Sequence, residues 1–299
     1  MSEITPFVRG FYDLQKLRIM YGNRLVIIVK AALGLKPGEK EETLEKRAIK
    51  VLNELRISYK KITDGVVDMP TPRQFKGDEI ISSYTEMCLL TYYLSLEHEE
   101  KKQYKQLKNI LKDYPIWTEY LEGVQGVGPA MAGVIISEFD ISKAKYPSSL
   151  WKYAGLDVAD DGRGRSKRSE HLIEVDYVDR NGVTKKKKSI TFNPLVKTKL
   201  TGVLAASFLR CGKKNTYAKI YYDYKNRMEN HAKYGILQDD VIGQNGHPVT
   251  SKLRRHNMSI RYMIKMFLID LHMNWRRIEG LPVSEPYSVA KLGIVHTTH

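Results

Sequence analysis

The chain has 299 residues, 42% of them hydrophobic, which excludes a disordered tail and is enough for two or three domains of roughly 100–200 residues. Lysine and arginine number 49 against 34 aspartates and glutamates, a net charge of +15, so the expected partner is a polyanion, with nucleic acid ahead of an anionic membrane. No run approaches the ~18 apolar residues of a spanning helix, because "LVIIVKAALGL" is broken by Lys30. The expectation is no membrane partner. The N-terminus lacks the order of a signal peptide, and Cys88 and Cys211 form neither a disulfide framework nor a zinc spacing, which points to a reducing cytoplasm.

The fold class expected is mainly α. From Pro6 to about Tyr120 the pattern is helical. The segment "FVRGFYDLQKLRIMYGNRLVIIVKAALG" is predicted to be a helix ending at Gly34 and the Pro37-Gly38 breakers. In "EETLEKRAIKVLNELRISYKKI", Leu44, Ala48, Val51, Leu52, Leu55 and Ile57 form an apolar stripe opposite Glu41, Glu42, Lys46 and Arg47. A third helix is predicted from about Glu79 to Asp113. Its Tyr84, Leu89, Tyr92, Tyr93 and Leu96 read as core, and its stretch "EHEEKKQYKQLK" as solvated. Residues 1–115 therefore read as a helical bundle or arm.

Pro115 and Trp117 mark a boundary, and residues 116–280 read as a second domain. Within it the polar loop "DVADDGRGRSKRSE" precedes a β-hairpin at 171–192, signalled by alternating apolar residues around Asn181-Gly182 and expected to close with a type I′ turn. Lys185 to Lys188 on its second strand read equally as an edge guard and as a phosphate-facing patch. Helices resume at Pro194, and the last, "KLRRHNMSIRYMIKMFLIDLHMNWRRIEG", leads into an irregular tail at 281–299.

The most informative stretch is "LEGVQGVGPAMAGVIIS". It fills every slot of a helix-hairpin-helix. Leu121 and Val124 are the first apolar pair, Gly126-Val127-Gly128 the hairpin, and Ala132 the small residue that packs inward. Pro129 suits the first turn of the second helix, and the exposed amides at that helix start can hold a phosphate without reading base identity. Gly126, Val127 and Gly128 are thus DNA-binding candidates. They are joined by Arg163, Arg165, Lys167 and Arg168 in the polar loop and by Arg261 and Lys265, which share a face of the last helix with Arg254. A plain turn and a solvated helix face are the competing explanations.

The order "VQGVGPAMAGVIISEFDISKAKYPSSLWKYAGLDV", then "GRGRSK", then "LVKTKLTGVLAASFLR" and "YAKIYYDYK" resembles the C-terminal domain of the DEDD insertion-sequence transposases of the IS-one-hundred-and-ten class, relatives of a pilin-gene invertase (Piv-like). Gly126, Gly128, Ala132, Glu138, Phe139, Tyr153, Ala154, Gly155, Leu156 and Tyr221 occupy matching slots between Tyr120 and Gly280. The resemblance implies a helix-hairpin-helix DNA-binding domain acting in DNA transposition or site-specific recombination on duplex or branched DNA, with structured RNA as a further partner. It also implies a bacterial, nucleoid-associated setting and Mg²⁺ if the protein is catalytic. The sequence departs from the family in two places. Those transposases begin with a RuvC-like nuclease domain, whereas this N-terminus reads as helices, and Asp161-Gly162 stands where the family has the Ser-Gly pair bearing its nucleophile.

Catalytic candidates are therefore Asp161 and the nearby serines Ser166 and Ser169. Asp157, Asp160 and Asp161 are candidate oxygen ligands for Mg²⁺, although an Asp-Asp-Gly run equally makes a self-capping turn; Asp239, Asp240 and His247 form a second loose group. No cofactor is certain. The expected protein is transposase-related and grips DNA, while its N-terminal helices form a homodimer or recruit a partner. The alternative is a catalytically inert accessory or regulatory DNA- or RNA-binding protein of a mobile element or phage.

Overall fold

The computed structural model describes residues 3–32, 34–36, 38–39, 44–64, 70–77, 81–239, 241–242 and 249–284. Pro37, Glu41, Glu42, Glu79, Asp240, His247 and the tail from 285 lie outside the described residues. The protein is mainly helical, and among the described residues its one sheet is a two-stranded antiparallel hairpin. The chain divides into two compact units, Pro6–Lys108 and Asn109–His299 with Met1–Thr5.

The first unit is built on α1 (Ile4–Ala32), α2 (Leu44–Thr63) and α3 (Tyr84–Ile110). Phe11 meets Tyr104, Gln15 and Arg18 meet Glu100, and Tyr21 meets Tyr92, so α1 and α3 run antiparallel. Leu25, Leu55, Ile81, Met87, Leu90 and Tyr93 form the core. The start of α3 is set by a capping box: Ser83 Oγ accepts the Glu86 amide at 3.2 Å while Glu86 Oε2 accepts the Ser83 amide at 3.3 Å. Part of the charged stretch expected to be solvated is not. Glu97 pairs with Arg56 and Glu100 with Arg18, and the two guanidinium groups lie 5.3 and 5.9 Å from the centre of the Tyr93 ring. The stretch faces arginines that lie elsewhere in the sequence, which its own composition cannot reveal.

In the second unit α4 (Pro115–Glu119), α5 (Pro129–Glu138), α6 (Pro147–Tyr153) and α7 (Pro194–Thr198) each begin on a proline, whose fixed φ and missing N–H suit the first helical position. A π-helical turn, Lys199–Leu204, carries α7 into α8 (Ala205–Arg210), followed by α9 (Thr216–Glu229) and α10 (Lys252–Ile278). The spine is α10, which packs against α9, α6, α4 and α8. Its Phe267 meets Phe208 and Tyr217 in a ring cluster, with centroids 5.5 Å from each. Its buried polar groups clamp loops. Arg255 bonds both oxygens of Asp239 at 2.7 Å, and Arg276 donates to the Ile141 and Ala144 carbonyls.

Strands β1 (Ile173–Val178) and β2 (Thr184–Ser189) pair from Ile173 opposite Ser189 to Val178 opposite Thr184. The type I′ turn expected from Asn181-Gly182 does not form, because that turn needs positive φ at both residues and among the described residues only glycines have it. Asp179 takes over the turn: its Oδ1 accepts the amides of Asn181 and Val183, at 2.9 and 3.0 Å, and widens the loop. The lysines of β2 are exposed; Lys185 pairs with Asp179 at 2.7 Å and Lys187 lies over Tyr177.

Candidate nucleic-acid interface

In the stretch read as a helix-hairpin-helix, a short 3₁₀ turn, Leu121–Gly123, with Val124 extended after it, precedes the hairpin, and α5 follows it. Leu121 and Ala132 are fully buried, Val127 is buried, and Gly128 precedes Pro129 at the start of α5. The reason for Gly126 is internal. Its φ is +102°, and a β-carbon there would stand 2.7 Å from Cδ1 of Phe208. The turn is pinned from behind, since Ser207 Oγ donates to the Gly126 carbonyl and Asn215 Nδ2 to the Gln125 carbonyl, both at 2.8 Å. The amides of Gly126 and Gly128 donate to no acceptor among the described residues. Beside the turn, Tyr217 Oη donates to Asp270 at 2.8 Å, and burial pushes the Asp270 carboxyl above the usual range.

The basic loop forms a small hairpin of its own. The Asp157 carbonyl accepts the Arg165 amide and the Arg163 carbonyl accepts the Ala159 amide, so the Asp-Asp-Gly run becomes a turn in which Asp161 Oδ1 accepts the Arg163 amide at 2.8 Å. The loop lies on α10. A β-carbon on Gly164 would stand 1.7 Å from Arg261 Nη1, so only glycine lets the guanidinium rest on this backbone. Arg165 turns inward to Asp157 at 2.7 Å, and its carbonyl accepts from Arg261 Nη2 and Lys197 Nζ.

Loop and helix together line a cleft of about 570 Å³. Five of its lining residues are cations, Arg163, Arg168, Arg254, Arg261 and Lys265, and none of the described lining residues is a carboxylate. Tyr224, Tyr234 and Tyr262 line it as well. Burial, then the charge of Arg261, holds the Lys265 ammonium below the usual lysine range. Lys197, bonded to the same loop carbonyl as Arg261, is lowered to about 8 by the same two causes in the same order. Cations, some of them partly buried, in excess of carboxylates make an anion-binding environment.

Of the basic residues singled out in the sequence, Arg163, Arg168, Arg261 and Lys265 come together in the cleft. Lys167 is exposed and outside its lining, and Arg165, paired with Asp157, is outside it as well. The hairpin turn lies elsewhere. Arg254, Asn257, Met258, Arg261 and Lys265 line the cleft, whereas Asp270 and Asn274 line a hollow beside Val124 and Gln125; at ~100° per residue these sets occupy opposite sides of α10.

The catalytic candidates fall into a chain that includes a residue unmarked in the sequence. Ser166 Oγ lies 2.9 Å from Nδ1 of the buried His171, whose Nε2 lies 3.2 Å from Asp161 Oδ2. The Ser166 amide also donates to Nδ1 at 2.9 Å, so this nitrogen is unprotonated and Nε2 carries the proton donated to Asp161. A Ser-His-Asp chain can pass a hydroxyl proton to the ring, but here amide and hydroxyl share one lone pair, and the chain also braces the loop. Ser169 is exposed at the start of a short 3₁₀ turn. Of the metal candidates, Asp157 is held by Arg165, Asp161 by His171, and Asp239 by Arg255. Among the described residues no three His, Cys, Asp or Glu side chains are placed to hold a metal ion, and no helix is long and apolar enough to cross a membrane.

No protein-family model matches the chain, and neither a curated protein nor a solved structure matches it.

Gly126→Ala is expected to lower stability by about 1–3 kcal/mol through strain and overpacking against Phe208, whereas Gly123→Ala, with open space at its β-carbon, stays within ~0.5 kcal/mol. Thermal denaturation of both variants checks this. Equal melting temperatures would mean that the turn does not pack on α8.

Proposed function

We propose that residues 109–284 bind nucleic acid in a transposase-related protein acting in DNA transposition or recombination, with the cationic cleft holding the sugar-phosphate backbone. The observation that carries this is the concentration of Arg163, Arg168, Arg254, Arg261 and Lys265 around one cleft without a carboxylate among its described lining residues. The amides of Gly126 and Gly128 support a second backbone contact on the other side of α10. Ser166, beside His171 and Asp161, is the group that would attack a phosphodiester if the protein cuts strands. In the first unit, Leu17, Met20 and Ile27 recur at helical spacing on α1 and are 46%, 40% and 62% exposed, which supports self-association through that helix.

One observation favours a second role, that of a nucleic-acid-binding accessory without strand chemistry: the Ser166 amide holds the His171 lone pair that a nucleophilic hydroxyl needs. The two are separated by incubating the protein and its Ser166→Ala variant with labelled duplex and junction DNA in Mg²⁺. A covalent adduct lost in the variant supports the enzyme, and binding without an adduct supports the accessory.

Binding itself is read by fluorescence anisotropy on duplex DNA, junction DNA and structured RNA. Lys265→Ala and Arg168→Ala should each weaken binding and lower the slope of log affinity against log salt by about 1, while Lys167→Ala leaves both nearly unchanged. Affinity should also fall as pH rises above about 8, because Lys197 loses a proton that an anion stabilises, and the lowered Lys265 ammonium adds to the loss in the same direction. Unchanged affinity in Lys265→Ala and Arg168→Ala would remove the cleft from the interface.

A further inference from the structure

We propose that the cleft takes a nucleotide turned out of pairing, its base stacked against the Tyr224–Tyr262 pair and its phosphate on Arg261 and Lys265, so that the protein prefers a single strand to a duplex. This rests on the nucleic-acid reading of the same cleft and adds which part of the nucleic acid enters it.

Two observations carry it. The first is size. A cleft of about 570 Å³ is in the range, roughly 300–1,000 Å³, that encloses one ligand of drug or nucleotide size. A duplex can lie across its mouth but cannot bring a paired base to its wall. The second is what forms that wall. Tyr224 of α9 and Tyr262 of α10 stack with centroids 4.2 Å apart and planes 22° from parallel, much as neighbouring bases do, and both line the cleft. Tyr234 lines it too, with the Arg254 guanidinium 5.1 Å from its ring centre. Aromatic faces set among cations are the two components of single-strand binding, the rings meeting bases and the cations tracking phosphates. The cations of the lining are assigned to phosphates, which leaves few neutral side chains to read base edges among the described lining residues. Asn257 lines the cleft, but the hydroxyl of Ser251 is already engaged in capping α10. The preference is therefore for unpaired bases of any sequence.

The test uses the full-length protein and four fluorescent probes: a DNA strand, the RNA strand of the same sequence, the DNA duplex, and an abasic strand with the same number of phosphates. The DNA strand should bind at least roughly fivefold more tightly than both the duplex and the abasic strand. Tyr262→Leu should bring the DNA strand down to the abasic level, while Tyr262→Phe keeps the difference. The RNA probe separates the two kinds of strand, since tighter binding of either one to the wild type, lost in Tyr262→Leu, identifies the natural ligand. A 2-aminopurine placed in the strand should be quenched on binding to the wild-type protein, a readout that does not depend on any variant folding. Equal affinity for base-bearing and abasic strands, with no quenching, overturns the stacked-base inference. If Lys265→Ala still lowers affinity in that case, backbone binding in the cleft stands; if it does not, that function falls as well.

Discussion

The guanidinium of Arg261 lies on the backbone of Gly164 so closely that a β-carbon there would stand 1.7 Å from Nη1. Around this point α10, α7 and the basic loop are joined, because Arg261 and Lys197 both donate to the Arg165 carbonyl while the Arg165 side chain reaches Asp157. The carboxylate of Asp157 pairs with Arg165, and its charge also acts on Lys197, Arg261 and Lys265. Holding several partly buried cations with so little counter-charge is costly, and the lowered pKa values of Lys197, Arg261 and Lys265 record that cost. An arriving phosphate relieves it. Under the proposed function, that relief is what would favour binding in the cleft over binding at the hairpin turn.

The hairpin turn and the cleft occupy opposite sides of α10, and they differ in how they are held. The turn is fixed by groups of the protein itself, Phe208 behind Gly126 and the side chains of Ser207 and Asn215 on its carbonyls. Loss of binding on substituting Gly126 would therefore report on the fold before it reported on a phosphate. The cleft is different: Arg163 and Arg168 are exposed on its rim, so exchanging them leaves the packing intact.

Much of the helical framework could be read from local signals. Prolines open four helices of the second unit, the Gly126-Val127-Gly128 spacing describes the turn before α5, and the alternation around Asn181-Gly182 places the hairpin. What local signals leave open is decided by particular side chains, some in the same loop and some far along the chain. The turn type was decided by Asp179, Glu97 and Glu100 by arginines of other helices, and the cleft by a loop and a helix about a hundred residues apart in sequence. Tyr224 and Tyr262 belong to apolar patterns that also supply core residues such as Tyr221 and Met263, so periodicity alone could not separate wall from core. His171 stands five residues after Ser166 in a loop without periodicity, and only the folded loop turns its ring toward both Ser166 and Asp161.

The most direct measurement of the central claim is hydrogen–deuterium exchange of the full chain with and without a nucleic-acid strand. Protection is expected over the loop at 162–168 and over the first half of α10, from Arg254 to Lys265, since these two segments build the cleft. Protection confined to the hairpin turn at 123–130, or to the exposed β1–β2 arm, with the loop and α10 exchanging as in the free protein, would contradict it.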